Sequence, residues 1–211
     1  MTASRPKAAL SRREHWEGVY EQKEPDSVSW YEETPAVSLE LIGELGVTPD
    51  ASVIDVGGGA SRLVDEIVAR GHLDVTVLDV SERALDYGRR RLAERVGVTW
   101  LCQDLLSFEP ERKYDLWHDR AVFHFLVAAA DRERYLEVVR SALLPGGLVI
   151  VATFAADGPE SCSGLPVARY DPDGLAAVLG EGFETVLTRR HEHKTPSGAV
   201  QPFTWVAARR A

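Results

Sequence analysis

Two kinds of residue in this chain have types and spacing suited to chemistry: a run of glycines closing an apolar segment, and an acid closing the next one. Val53-Ile54-Asp55-Val56 runs into Gly57-Gly58-Gly59, and Ala60-Ser61 leads on toward a helix. Backbone without side chains at such a bend lets the main chain approach a nucleotide-like ligand closely. Twenty-two residues after Gly57, the apolar run Val75-Thr76-Val77-Leu78 ends in Asp79, a carboxylate placed to take both hydroxyls of a ribose. The bend, the acid at that distance and the strand context together point to a nucleoside site.

The elements that must position these groups alternate. Strands are expected at Ser52–Val56, Val75–Asp79, Val98–Cys102, Tyr114–His118 and Leu148–Phe154. Helices are expected between them: from about Ser61 to Gly71, from Ser81 as N-cap to near Gly97, and from Asp131 as N-cap to Leu143. Asp171-Pro172 opens a short helix ending at Gly180. Phe183–His193, a Thr195-Pro196-Ser197-Gly198 turn and Val200–Ala208 then read as an antiparallel hairpin. Ahead of all this, Ser11–Tyr20 and a segment from Pro35 to Gly46 read as helices. The expectation is an α/β fold, a doubly wound, mostly parallel seven-stranded sheet closed by a C-terminal hairpin, with the ligand at the carboxyl ends of its strands. Residues 1–46 are expected to form an N-terminal helical extension or lid, and 47–211 the ligand-binding domain.

Composition narrows the partners. The 211 residues carry a formal charge of −9 and are 45% hydrophobic, ordinary for one globular domain and unlike a phosphate-tracking surface. Arg89-Arg90-Arg91 is the one dense basic run, and it shares its helix with Glu82, Asp86 and Glu94, so a solvated face is expected there and no nucleic-acid partner. Cys102 and Cys162 lack disulfide or metal-ligand spacing, which fits a reducing cytoplasm. Met1–Arg13 is polar and basic with no apolar core, read as a frayed tail and not a secretory signal. No apolar run reaches membrane-spanning length.

The pattern from about Ala51 to Phe154 resembles the class I S-adenosylmethionine-dependent methyltransferases. Asp55-Val56-Gly57-Gly58-Gly59 is similar to their first motif, whose loop wraps the methionine end of the cofactor, and Asp79-Val80 to the position that holds the ribose. Gln103-Asp104-Leu105 matches the place where an acid meets the adenine amino group and the next residue packs on the ring. Leu144-Pro145-Gly146-Gly147 resembles the turn before the fifth strand. Ser61 stands where a third spaced glycine is common, and could cap the following helix. The leader Trp16-Glu17-Gly18-Val19-Tyr20 with Trp30-Tyr31 is similar to the W-x-x-x-Y leader of small methyltransferases. Asp119-Arg120-Ala121-Val122-Phe123-His124-Phe125 resembles the loop after strand four in thiopurine-type enzymes. The resemblance implies S-adenosylmethionine as cofactor, transfer of its methyl group to sulfur, nitrogen or oxygen of a small acceptor, and a monomer or homodimer. A protein-lysine methyltransferase, which shares the leader, is the alternative. A nicotinamide-dependent oxidoreductase would want a small residue at position 62, where this chain has Arg62.

Each candidate has a plainer reading beside it. Trp16, Tyr20 and Trp30 form an aromatic lid over the sulfonium, or simply anchor the leader. Asp55 orders the glycine loop by accepting its amide hydrogens, or pairs with Arg62. His124 is the first candidate for a base or substrate contact, or is merely packed between Phe123 and Phe125; His118 is placed to contact either ligand or to serve structure. Asp119 lies beside the cofactor, or pairs with Arg120. Arg120, Phe123, Cys162, Arg169 and Tyr170 are expected to line the acceptor pocket, Cys162 without acting as a nucleophile. His191 and His193 alternate on one strand face as solvated histidines, and no metal is expected.

Overall fold

The computed structural model describes residues 10–93 and 97–211. Its helices are α1 (Arg12–Gln22), α2 (Ala36–Glu44), α3 (Leu63–Ala69), α4 (Glu82–Leu92), α5 (Ala129–Ala142) and α6 (Pro172–Leu179). Its strands are β1 (Val53–Val56), β2 (Val75–Asp79), β3 (Val98–Cys102), β4 (Tyr114–Arg120), β5 (Leu143–Phe154), β6 (Ser161–Cys162), β7 (Leu165–Pro166), β8 (Phe183–Lys194) and β9 (Val200–Arg210). Seven of them form one sheet in the order β3-β2-β1-β4-β5-β9-β8, and β6 and β7 form a separate small hairpin. Strands β1 to β5 run parallel, and β9 inserts antiparallel between β5 and β8. The fold is the doubly wound sheet with its closing hairpin, and the order reverses between β1 and β4, where such sheets open a crevice.

Period-two alternation explains the two cores. Val53 of β1 packs with Leu41 of α2 and Val64 and Ile67 of α3 on one face. Ile54 and Val56 turn to the other, against Trp117 and the α5 residues Tyr135 and Val139. All four residues of β1 are buried, as an apolar run covered on both faces requires. Trp117 Nε1 donates to the Tyr135 hydroxyl at 3.1 Å, which keeps both polar atoms satisfied inside that core.

Several boundaries differ from expectation. α5 starts at Ala129, with Ala128 and not Asp131 at its cap, because Asp131 is drawn to Arg12 of α1 at 2.6 Å. α4 ends at Leu92, and residues 94–96, on which its expected continuation falls, lie outside the described residues. Leu144-Pro145-Gly146-Gly147 is a bulge inside β5, where pairing jumps from Tyr114↔Leu143 to Leu116↔Leu148. The tip hairpin β6–β7 went unanticipated. The arginine run is tied to acids: Arg89 bonds Glu82 and Asp86, and Arg91 bonds Asp65 at 2.9 Å.

Candidate active site

The bend after β1 is built by close approach. Gly57 sits at φ +69°, and a Cβ there would lie 2.1 Å from Val122 Cγ2. At Gly58 a Cβ would lie 2.2 Å from Asp55 Oδ2. Either substitution would fill the cradle or push a buried carboxylate aside. The Gly57 amide donates to the Leu78 carbonyl at 2.7 Å, tying the bend to β2. Asp79, at the end of β2, accepts the Gly59 amide at 3.1 Å and the Ser81 amide at 2.8 Å. Burial raises its pKa to about 6 against the pull of those amides.

The loop amide therefore goes to Asp79 and not to Asp55, correcting the expectation for Asp55; nor does Asp55 pair with Arg62. Its Oδ1 lies 2.7 Å from His118 Nδ1, and Oδ2 is buried with no partner. His118 Nε2 in turn lies 3.0 Å from Ser38 Oγ. After β3, Asp104 caps a short turn by accepting the Leu106 amide at 2.8 Å, with Arg12 Nη1 3.5 Å from its other oxygen.

One cavity, about 940 Å³ of empty space with its open mouth included, gathers Trp16, Tyr20, Trp30, Gly57, Asp79, Val80, Asp104, Leu105, Arg120 and Cys162. An adjoining polar pocket shares Tyr20, Trp30, Gly57 and Arg120 and adds Asp55, Gly58, Ser38 and His118. The leader closes over this region. Trp16 meets Phe125 and Trp30 edge-on at 5.1 and 5.7 Å, and Trp30 Nε1 donates to the Tyr20 hydroxyl at 3.3 Å. Glu17 accepts the first amide of α4 at 2.7 Å, an acid at a helix N-terminus. Burial pushes the Tyr20 phenol well above its ordinary pKa.

Other expected residues lie elsewhere, each for a physical reason. His124 is fully buried, lines neither pocket, has no partner at either ring nitrogen, and packs between Phe125 and Phe154. Burial lowers its pKa to about 3, so it stays neutral and out of reach of a substrate. Phe123 packs on Tyr135 inside the core. Asp119 does not pair with Arg120; it accepts the Val122 and Phe123 amides at 2.9 and 3.1 Å. Those bonds hold the turn that puts Ala121 at φ +70° and lays Ala121 and Val122 on the cavity floor.

Arg120 instead donates from Nη1 to the Trp30 carbonyl at 2.9 Å and lies 3.3 Å from Glu32. Arg169 bonds the Gly158 carbonyl and Glu160, pinning its own loop. Tyr170 accepts Thr204 Oγ1 through its carbonyl and stacks near Phe123. His193 is buried, not solvated, with Nε2 2.7 Å from the Ser29 carbonyl and Nδ1 3.5 Å from Glu32. Among the described residues no group of three or more His, Cys, Asp or Glu could hold a metal ion, and no helix is long and apolar enough to cross a membrane.

The sequence reading missed the aromatic wall. Phe154 and Phe203 line the cavity and stand opposite each other across β5 and β9. The available signal was an aromatic at the carboxyl end of a strand facing an aromatic in the closing hairpin. Arg12 and Glu32 carried no local signal.

A family model described as a methyltransferase domain matches residues 54–149. The matched segment runs from β1 into β5 and holds the glycine bend, Asp79 and Asp104. Malonyl-[acyl-carrier protein] O-methyltransferase 2 of Ilyobacter polytropus is 21% identical over 60% of this chain, which spans half that relative's length. EEF1A lysine methyltransferase 2 of Danio rerio is 24% identical over 84% of this chain and 77% of its own. The Burkholderia thailandensis 1,6-didemethyltoxoflavin-N1-methyltransferase, solved with 1,6-didemethyltoxoflavin and S-adenosylhomocysteine, superposes with a TM-score of 0.71 at 22% identity, over 97% of this chain and 93% of its own. The site fits S-adenosylmethionine, the cofactor that the sequence resemblance implies, on two local observations: the cradle that a Cβ at Gly57 would fill, and the orphaned Asp55 oxygen in the polar pocket beside it.

Proposed function

We propose that the chain is an S-adenosylmethionine-dependent methyltransferase acting on a small-molecule acceptor in the cytoplasm. The observation that carries this reading is the single cavity in which the glycine bend, Asp79 and Asp104 meet an aromatic wall at the carboxyl edge of the sheet. In the proposed arrangement Gly57, Gly58 and Gly59 admit the donor's backbone-facing side. Asp79 takes the ribose hydroxyls, Val80 and Leu105 flank the adenine, and Asp104 takes its amino group through the oxygen not bonded to Leu106.

When bound, the cofactor supplies an activated methyl group with an excellent leaving group. This chain's residues then have to orient the acceptor in line and keep water out, so positioning dominates. Trp16, Tyr20 and Trp30, with the rest of residues 10–46, act as the lid, their ring faces suited to a sulfonium. Phe125, Phe154, Phe203 and Cys162 wall the acceptor side. Burial raises the Cys162 thiol to about 11, which keeps it protonated and unreactive.

A small acceptor is favoured by the lining: Phe125, Phe154, Phe203 and Cys162 make an apolar wall beside Trp16 and Trp30, the kind of surface small-molecule pockets present. Calorimetric titration with S-adenosylhomocysteine tests the site directly, and a chain that binds none refutes the reading. The likeness to the lysine methyltransferase over most of both chains supports a second reading, a protein acceptor. Radioactive methyl transfer in cell extract separates the two: label in the low-mass fraction supports the first, and a labelled protein band the second.

A further inference from the structure

Three side chains outside the glycine bend form a continuous buried relay that the cofactor contacts above do not use. Ser38 comes from the first turn of α2, Asp55 from β1 and His118 from the adjacent strand β4, in register with Asp55. Each is no more than 2% exposed. A carboxylate only accepts, so His118 Nδ1 carries the proton donated to Asp55 Oδ1 at 2.7 Å, and Nε2 pairs with the Ser38 hydroxyl at 3.0 Å. The imidazole is thereby fixed in one tautomer and one orientation, and it fixes the carboxylate plane in turn.

That leaves Asp55 Oδ2 buried without a partner. A buried carboxylate oxygen left unmatched costs several times what a made hydrogen bond contributes, so such an atom points to a ligand. The residues around it agree. Asp55 lines the polar pocket beside the glycine bend, and Gly58 has no Cβ because one would sit 2.2 Å from Oδ2. Arg120 on the same pocket is already engaged, its Nη2 lying 3.3 Å from Glu32 and its Nη1 donating to the Trp30 carbonyl. The unmatched negative oxygen on that small space is the complement of an ammonium.

We propose that Ser38 and His118 are positioning residues that set Asp55 to receive the ammonium of the donor's amino-acid end. This rests on the reading of the neighbouring cavity as the S-adenosylmethionine site. Neither residue touches the reacting atoms. Their contribution is to hold the carboxylate in one orientation, with Oδ1 engaged and Oδ2 left free, so that no rotation of it has to be arrested when the donor binds.

Two ligands isolate the effect. S-adenosylhomocysteine carries the amino-acid end, and 5′-methylthioadenosine has the same nucleoside without it. By calorimetry the native chain is expected to bind the first at least 30-fold more tightly. In His118→Leu that ratio should shrink about tenfold or more, with methylthioadenosine affinity unchanged within threefold. His118→Asn, whose amide nitrogen stands near the Nδ1 position, should recover most of the ratio, and Ser38→Ala should lose a smaller part. Equal weakening of both ligands in His118→Leu would mean a merely structural relay and overturn the proposal, as would an unchanged ratio. If His118→Leu does not fold, the comparison of Ser38→Ala with Asp55→Asn decides by the same ratio. A native chain that binds neither ligand fails at the methyltransferase reading itself, a distinguishable result.

Discussion

The two halves of the cavity are made in different ways. The half proposed for the donor, at the ends of β1, β2 and β3, is assembled from short local motifs: Gly57 to Gly59, Asp79-Val80 and Asp104-Leu105, each at the carboxyl end of its own strand. Its polar groups are largely backbone amides and the carboxylates that hold them. The half proposed for the acceptor joins Trp30, Phe125, Phe154, Cys162 and Phe203, residues far apart in the chain, with Phe203 brought in by the pairing of β9 with β5. Chemistry common to every nucleoside ligand can be written in a few contiguous residues. Chemistry specific to one acceptor is written in long-range packing.

The sharpest way to break that comparison is at Gly57. Gly57→Val places a branched side chain at φ +69°, against Val122, with a strain of roughly 1–2 kcal/mol for the backbone alone. Donor affinity by calorimetry should fall at least 100-fold, while the closing hairpin β8–β9 keeps its amide-exchange protection. Retained affinity would mean that the bend does not cradle the donor.

Asp79 comes next. Asp79→Ala should weaken S-adenosylhomocysteine and methylthioadenosine alike, by about tenfold or more, unlike the ratio change expected at His118. The native carboxyl titrates near 6. Below that pH it is protonated and loses acceptor capacity for ribose hydroxyls, so native affinity should fall as pH drops through about 6. The Asp79→Ala variant should lack that step. A native affinity flat from pH 7.5 to 5 would remove Asp79 from the ribose contact.

The same contrast explains what was legible beforehand. β2 and β3 were placed to the residue because apolar runs bounded by Asp79 and by Gln103 end abruptly. The β8–β9 hairpin followed from its Pro-Ser-Gly turn. The role of Asp55 was misread because its partners, His118 and Ser38, come from other elements, and the Trp30 and Glu32 contacts of Arg120 were hidden for the same reason. Nothing within a few residues of Asp55 announces that a β4 histidine will stand in register with it. His124 was misread for the opposite reason: a histidine between two phenylalanines reads as a loop residue until Phe154 of β5 packs over it.

On the acceptor side the effects should be smaller and of another kind. Phe125→Ala removes a ring that lines the cavity and carries Trp16. Acceptor KM is expected to rise about tenfold in steady-state assays, with donor affinity unchanged within threefold. Equal losses in both would show that the halves are not separable.

The smallest effect on turnover is expected at His124, where the change should appear in stability instead. His124→Phe keeps an aromatic ring between Phe125 and Phe154 and removes two nitrogens that have no partners. Turnover and donor affinity should stay within threefold. In the folded chain His124 resists protonation down to about 3, whereas an unfolded histidine takes up its proton near 6.5. The unfolded state therefore binds more protons between those values, and this group's share of stability, complete above pH 6.5, is lost as pH falls toward 3. By pH 5 about 2 kcal/mol of that share has been lost. Burial raises Asp79 and Asp119 to about 6, which works in the opposite direction on acidification. Both acids are present in native and variant, so they cancel in the difference. Urea unfolding at pH 7 and pH 5 should thus show the native chain losing about 2 kcal/mol more than His124→Phe. A variant that keeps its stability but loses turnover would return His124 to the chemistry, and with it the acceptor half would gain the one proton-accepting side chain that its described lining lacks.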